Sequence, residues 1–523
     1  MYVSDLLRDQ SLITLTARQQ KLADNAFAAC FGLPTLVLME QAAASTADAI
    51  ARRFGDTRPL TVLVVAGGGN NGGDGWAIAR QLSAYPGYTV TVLDLCPDRE
   101  LPADSELNRA AYCKYDAAKT QWPDDRYDII VDAVLGSGFK ADRPIGGRYA
   151  EILDAMRESR EHGTRIVAVD VPSGIEAGTG RADPEAIAVD LTVSYGSLKT
   201  GIVAAPGASY AGERVLAPIS MPQTWLRGLE DFGDPDFVLD AAALRGILPG
   251  LDPLAHKGSR GTAMLIAGST AMPGALQLAT SALLETGIGY AYAMTEREVG
   301  EQLLNACPEV LLRTHDDYSA EAGAGVGAKA VAVGPGMGPD HPFFEQHLRD
   351  LIRTQPRLVI DADGLNVLAK MTDRFELLRE HGETFPETPV VLTPHPGEFK
   401  RLLPEAADMV AADRQNAARE LARKGGAIVV LKGAGTVVAM PDGSCWINTK
   451  APSELARAGS GDVLTGMITG LAATDIPLGD AVLAGVHLHG LCACALKDDT
   501  EHDGFRIADV PKYFSRAAAP FRR

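Results

Sequence analysis

Cysteine is scarce and poorly placed for a framework. The seven residues (30, 96, 113, 307, 445, 492 and 494) are scattered and odd in number, which argues against a disulfide scaffold and for reduced thiols. Positive charge is in deficit: 49 Lys and Arg against 67 Asp and Glu leave a formal charge of −18. A nucleic-acid or anionic-membrane surface needs clustered cations, so neither partner is expected. A small anion remains possible, because a few backbone N–H groups and one lysine suffice to bind a phosphate. No basic segment followed by an apolar run opens the chain, and nowhere do 18 apolar residues follow one another, so a cytoplasmic location is expected. His487, His489, Cys492 and Cys494 have the side chains of a metal site but lie in an apolar, helix-like run (481–496). Positions i and i+2 of a helix do not share a face, which argues against ligation there.

At 523 residues the chain is too long for one core, and two domains are expected. Apolar content of 46% with 22% charged residues is ordinary for a globular protein. No repeat of fixed period and no low-complexity tract is present. Two blocks of alternating apolar strands and helices stand out. In the first, strands are predicted at 61–66, 88–95, 127–134, 165–171 and 190–195, after a long helical opening at 16–53. In the second they are predicted at 262–267, 290–294, 330–333, 358–360, 390–392 and 427–431, followed by a hairpin across 436–447. Near-continuous Val/Ile runs indicate strands buried on both faces, as in parallel sheets. A Pro/Gly/Asp-punctuated stretch separates the blocks, which places the domains at 1–225 and 256–523 with a linker at 226–255.

In the first block, Gly67-Gly68-Gly69-Asn70-Asn71-Gly72-Gly73-Asp74-Gly75 follows a strand and opens a helix. It contains a formal dinucleotide-binding spacing (Gly67, Gly69, Gly72), with Asp94 near the place of a ribose-binding acid. An ordinary NAD-binding fold is thus one reading. The amides and carboxylate of Asn70, Asn71 and Asp74 supply more oxygen ligands than pyrophosphate cradling needs. Asp132 begins a glycine-rich run through Gly136-Ser137-Gly138-Phe139, and Asp170 ends a strand before Pro172-Ser173-Gly174. Ligands of open α/β sheets bind beyond the carboxyl ends of the strands, so Asn71, Asp132, Asp170 and Ser173 can converge. An all-oxygen set suits a hard cation.

In the second block a Gly- or Pro-rich element follows nearly every strand: Gly268-Ser269, Gly334-Pro335-Gly336-Met337-Gly338, Asp361-Ala362-Asp363, Thr393-Pro394-His395-Pro396-Gly397-Glu398 and Lys432-Gly433-Ala434-Gly435-Thr436. Gly459-Ser460-Gly461-Asp462 then runs into an apolar helix, whose N-terminus favours an anion. There is no P-loop signature. His395 is held between two prolines, and Lys432 offers a point charge beside backbone donors.

These motifs together resemble the bifunctional NAD(P)H-hydrate repair enzymes, an epimerase domain fused to an ADP-dependent dehydratase domain. The resemblance implies an α/β chain with an open Rossmann-like unit followed by a ribokinase-like unit. In the first unit it implies a potassium ion held by Asn71, Asp132 and Ser173. The hydrated nucleotide would be held by Asn70, Asn71, Gly72, Gly73 and Asp74 and by Gly136, Ser137, Gly138, Phe139, Lys140, Ala141 and Asp142, with Asp170 at the hydrated ring. In the second unit, Lys432, Gly433, Ala434, Gly435, Thr436 and Gly461 match contacts to ADP. Ala275, Gly338, His395 and Asp462 match contacts to the substrate.

The implied activity is repair of the hydrates NADHX and NADPHX: epimerisation of R and S forms, then dehydration of the S form with AMP and phosphate as products. Asp170 is expected to move a proton and stabilise a cationic ring, and Asp462 to deprotonate the C6 hydroxyl during phosphoryl transfer. Magnesium is expected on the phosphates, with Glu398 helping to place it, and a homo-oligomer is expected from the family's habit. Arg457 and Glu454 depart from the family's approach to the Gly-Asp turn (451–459), and the expectation is altered donor preference rather than lost activity. Two other readings keep the same glycine turns: a vitamin-precursor kinase fused to a nucleotide-binding module, and a first domain that binds without catalysing.

Overall fold

The computed structural model describes residues 2–55, 58–229, 233, 236–250, 252–318, 327–450, 452–500 and 504–523. The chain forms two compact units, Ile13–Pro235 and a second made of Met1–Leu12 with Asp236–Arg523.

The first unit is built on strands β1 (Leu60–Ala66), β2 (Tyr88–Asp94), β3 (Ile129–Ala133), β4 (Arg165–Val169), β5 (Leu191–Tyr195) and β6 (Glu213–Ala217). They lie in the order 2-1-3-4-5-6, every pair parallel. Val62, Leu63, Val64, Val65 and Ala66 are all fully buried, as expected of a central strand covered on both faces. The helical opening is two helices rather than one. Ala17–Phe31 starts in a capping box of Thr16 and Gln19 and stops at Gly32, whose φ of 65° only glycine adopts freely, and Thr35–Phe54 restarts after Pro34.

The second unit carries β7 (Asp236–Leu239), β8 (Thr262–Ile266), β9 (Tyr290–Thr295), β10 (Leu311–Thr314), β11 (Ala330–Val333), β12 (Leu358–Ile360), β13 (Val391–Leu392), β14 (Ile428–Leu431), β15 (Val437–Ala439) and β16 (Cys445–Asn448). Their order is 10-9-8-11-12-13-14-15-16-7, parallel except where β15 pairs antiparallel with β14 and β16. Helix Ser460–Ala472 lies against helix Pro273–Glu285 at a distance set by Gly466, where a Cβ would sit 2.1 Å from the Ala279 carbonyl. Helix Leu478–Thr500 is long and apolar enough to cross a membrane by composition alone, but most of it is buried inside the unit.

The 226–255 stretch, read from sequence as a linker, contains β7, which pairs in parallel with β16. Residues 230–232, 234–235 and 251 of that stretch lie outside the described residues. Residues 2–12 pack on the second unit. Val3 and Leu7 are fully buried, Ser4 N donates to Asp480 Oδ1 (2.9 Å) and Gly479 N to the Tyr2 carbonyl (2.9 Å). Trp446 Nε1 donates to Ser11 Oγ (3.2 Å) and Val238 N to the Leu12 carbonyl (2.8 Å). Nothing local in 2–12 announces this, because every partner is more than 200 residues away. Leu7→Ala is therefore expected to destabilise the second unit by about 2–5 kcal/mol while sparing the first. Hydrogen exchange of peptides from each unit across a urea series measures both.

Candidate active sites

In the first unit the turn after β1 is compressed around glycines. A Cβ on Gly72 would sit 1.9 Å from the Gly67 carbonyl, and one on Gly73 2.2 Å from Ser105 Oγ. These contacts let helix Asn70–Leu82 begin directly against the sheet, with Gly69 as its extended N-cap. Asn71 packs against Gly136, where a Cβ would lie 2.8 Å from its side chain.

Asp132 is wholly buried at the end of β3. Its carboxylate accepts from Ser173 Oγ (2.5 Å), Ser173 N (2.8 Å) and Val134 N (3.3 Å), and Ser173 Oγ also lies 3.2 Å from the Leu135 carbonyl. Burial raises the Asp132 pKa against these donors. Asn71 Nδ2 is buried without a hydrogen-bond partner. Asp132 is thus a buried carboxylate held by a hydroxyl and two backbone N–H groups, with no cationic side chain paired with it among the described residues, and a hard cation is compatible with such an oxygen donor. Of the predicted trio, Asp132 and Ser173 are bonded to each other, while Asn71 packs on Gly136 of the run that Asp132 begins.

Asp170 sits just past β4 with φ of 63°, a conformation Asp and Asn tolerate better than other non-glycine residues. Its Oδ1 accepts from Lys199 Nζ (2.5 Å), Tyr195 N (3.1 Å) and Ser194 Oγ (3.3 Å). Lys199 is fully buried, and its ammonium also donates to the carbonyls of Tyr195 (2.8 Å) and Ser197 (3.3 Å). Sequence reading missed this lysine. Its only local signal is a cation in the otherwise apolar and small-residue run 195–203. Burial lifts the Asp74 carboxyl well above the usual carboxylate range, and the Asp170 charge adds to that. The loop at 136–142 makes two successive turns (Phe139 N to Gly136 O and Arg143 N to Lys140 O, both 3.0 Å), and its residues alternate between half-buried and exposed. Asp94, the candidate ribose acid, instead accepts from Cys96 N (2.8 Å) and lies 3.6 Å from Arg109. It is spent on its own loop.

In the second unit a cavity of about 630 Å³ opens at the carboxyl ends of β12, β13 and β14, and is lined by His395, Glu398, Lys432, Gly433, Gly461 and Asp462 among others. Lys432 Nζ donates to Asp361 Oδ1 (2.7 Å), and Thr465 Oγ1 to Asp361 Oδ2 (2.6 Å). Burial opposes charge on both partners of this pair, yet each carboxylate and ammonium holds the other ionised: the Asp361 pKa is lowered and that of Lys432 raised. The ammonium lies against Gly461, where a Cβ would sit 3.3 Å from Nζ. Gly433 takes φ of 149° with Arg414 packed behind it, which turns the Lys432–Thr436 loop toward the cavity.

Burial and the nearby Asp361 charge push Asp462 up to about 7. Glu398 is also pushed to about 7, chiefly by burial, but its oxygens face His395, accepting from His395 N (2.8 Å) and lying 3.4 Å from Nε2. Glu398 Oε2 also lies 4.0 Å from Lys432 Nζ, so any metal it helps to place would sit beside that ammonium. Among the described residues no group of three or more His, Cys, Asp or Glu could hold one. Gly338 and Ala275 lie apart from the cavity lining. Gly338 N donates to Asp363 Oδ2 (2.8 Å), and Ala275 packs on Gly336. Asp363 links this group to the cavity through its charge on Asp462.

The departing charges of the 451–459 run have partners: Glu454 is buried and paired with Lys497 (2.5 Å), and Arg457 donates to the Phe505 carbonyl (2.6 Å). Ala451 lies outside the described residues. His489 is buried, 3.4 Å from Ser460 Oγ, with burial lowering its pKa to about 4. His487 bonds Asn448 (2.8 Å), so neither histidine is arranged with the cysteines as a metal site.

Residues 263–514 match the family model described as NAD(P)H-hydrate dehydratase, and residues 35–201 the one described as YjeF-related protein N-terminus. The chain is 34% identical over 498 residues to the bifunctional NAD(P)H-hydrate repair enzyme Nnr of Moorella thermoacetica, covering 91% of each chain. It is 32% identical over 495 residues to the enzyme of the same name from Escherichia coli, covering 94% of this chain and 90% of that one. A solved ADP/ATP-dependent NAD(P)H-hydrate dehydratase from Bacillus subtilis, co-crystallized with ATP/Mg2+, is 33% identical, with a TM-score of 0.47 over 54% of this chain and 98% of that one. Because the sequence likeness runs through both glycine-loop units at once, the chain belongs to the family of bifunctional NAD(P)H-hydrate repair enzymes.

Proposed function

We propose that the first unit interconverts the R and S hydrates of NADH and NADPH and that the second, of ribokinase-like type, dehydrates the S hydrate at the expense of ADP. The observation that carries the reading is the convergence, around one cavity, of Lys432, Gly461 and an Asp462 whose pKa lies about 7. Hydroxide is a poor leaving group and phosphate a good one. Asp462 takes the C6 hydroxyl proton as the oxygen attacks the β-phosphorus of ADP and AMP leaves; phosphate then departs from C6 as the ring nitrogen's electron pair forms N=C6, and loss of a proton from C5 forms C5=C6 and returns the pair to nitrogen, which restores the dihydropyridine. Lys432, the Gly433–Thr436 loop and the N-terminus of helix Ser460–Ala472 supply the positive field for the phosphates. Magnesium entering with the nucleotide would neutralise phosphate charge. Held by Glu398, His395 would contact the hydrate.

In the first unit Asp170 would face C6 of the hydrate. Its hydroxyl departs to leave an iminium-like ring and returns on the other face, and the carboxylate stabilises that cation. The turns at 70–74 and 136–142 would hold the nucleotide. Asn71, Asp132 and Ser173 would hold potassium, whose charge would help order the two turns beside it.

The test is recovery of reduced-nicotinamide absorbance from mixed R and S NADH hydrate with ADP, magnesium and potassium. Fast recovery of both hydrates with AMP appearing is expected, and no recovery with ADP or ATP overturns the reading. Asp462→Asn should lower dehydration by about 10²–10⁴-fold and leave epimerisation intact. Asp170→Asn, which keeps the backbone conformation, should abolish epimerisation alone. Because the Asp462 pKa is raised, the group is protonated and useless as a base at lower pH. Dehydration kcat/KM should therefore fall about tenfold per unit below about pH 7 and level off above it. Potassium at ten times its Kd should stabilise the first unit by about 1.4 kcal/mol over tetramethylammonium, in hydrogen exchange, and Asp132→Asn should erase the difference.

A further inference from the structure

The epimerisation just proposed needs a proton as well as an anion, because the C6 hydroxyl leaves as water. The hydrogen bonds around Asp170 narrow the choice of donor. Lys199 makes three hydrogen bonds, to Asp170 Oδ1 and the carbonyls of Tyr195 and Ser197. All three of its N–H groups are thus directed at acceptors, one of them Asp170 Oδ1. Oδ1 of Asp170 already receives three donors, so Oδ2 is the oxygen left for the ring. Ser194 Oγ lies between Asp170 and the Ser197 carbonyl (3.3 and 3.0 Å), and the Tyr195 hydroxyl is buried against Thr46 Oγ1 (2.8 Å). Asp24, on helix Ala17–Phe31, accepts from Gln20 Nε2 (2.8 Å).

One carboxyl of this cluster has no hydrogen-bond partner among the described residues. Asp74 projects from the first turns of helix Asn70–Leu82, is partly exposed, and among the described residues has neither a cation paired with it nor a donor bonded to it. The charges that act on it are those of Asp170 at the end of β4, Lys199 beyond β5 and Asp24, and it acts in turn on Tyr195. We propose that Asp74 is the general acid of the first unit, a catalytic residue beyond its place in the nucleotide-binding turn, and that Lys199 is the positioning residue whose bond to Oδ1 fixes the Asp170 carboxyl with Oδ2 free.

The step balances as follows. The Asp74 O–H proton passes to the C6 hydroxyl, the C6–O bond breaks with its pair leaving on water, and the ring nitrogen's pair forms N=C6. Water adds to the other face of C6 and gives its surplus proton to Asp170 Oδ2. The proton returns from there to Asp74, the carboxyl whose surroundings favour the neutral form. Nothing is oxidised or reduced.

The assignment rests on the epimerase reading, and the experiment separates the two. Epimerisation of R NADH hydrate by the full chain is followed against pH, as kcat and KM, for the wild type and for Asp74→Asn, Asp74→Glu and Lys199→Met. The expected result is a wild-type kcat that falls on an alkaline limb and an Asp74→Asn kcat about 10²-fold lower at unchanged KM. Asp74→Glu should keep activity with that limb displaced, and Lys199→Met should lower kcat while leaving the alkaline limb where it is. Asp74→Asn within threefold of wild type, or an alkaline limb that Asp74→Glu leaves in place, overturns the acid role while epimerisation stands. A wild type that does not epimerise overturns both. If Asp74→Asn does not fold, the position of the Asp74→Glu limb decides alone.

Discussion

The pair between Lys432 and Asp361 is the constraint around which the second unit's site is arranged. Asp361 is almost fully buried, and its two oxygens are divided between Lys432 and Thr465, so one carboxylate ties the end of β12 to the loop after β14 and to helix Ser460–Ala472. Removing one partner of such a pair strands the other charge in the interior, at a typical cost of about 3–5 kcal/mol. The same carboxylate raises the pKa of Asp462, while Lys432 lowers it. Fold and reactivity are thus set by one group, and Asp361 cannot be neutralised without altering both.

The first unit solves a similar problem with the roles distributed differently. Lys199 is wholly enclosed by its own acceptors and does not reach toward a ligand, whereas Lys432 lies on the cavity wall. One lysine therefore serves only to hold a carboxylate, and the other holds a carboxylate while facing the cavity. Glycine allows both arrangements: Gly461 makes room for an ammonium, and Gly136 for the Asn71 side chain.

Much of this was legible in the sequence because parallel sheets announce their working edge. Each buried strand reads as a Val/Ile run, and the turn after it must use Gly, Pro, Asp or Asn, so motifs such as 67–75, 334–338 and 432–436 mark strand ends directly. The α/β class and the loops around both sites followed from that. What stayed hidden depends on partners distant in sequence. Lys199 reads as a strand-end lysine until Asp170 is placed beside it. Strand β7 is a short run whose mate is β16, some 200 residues later. Glu454 and Arg457 read as intrusions on an anion site because Lys497 and the Phe505 carbonyl are not visible from 451–459. The break at Gly32 and Pro34 was visible in the residues, and the apolar periodicity on either side concealed it.

The pairing of residues 2–12 with the second unit makes the first unit an insertion of about 220 residues between Leu12 and Asp236. Its point of entry is clamped, since the Leu12 carbonyl accepts from Val238 N, and Ile13 N is held by Gln223 Oε1 (3.1 Å) inside the inserted unit. If the insert were a flexible coil, closing it would cost the second unit on the order of 5 kcal/mol of chain entropy. A folded insert fixes the separation of its ends and so removes much of that cost. The epimerase unit therefore acts as a prefabricated short loop for its neighbour. A lesion that unfolds it would weaken the dehydratase unit even if every dehydratase side chain were intact, and the two cannot be parted by a single cut.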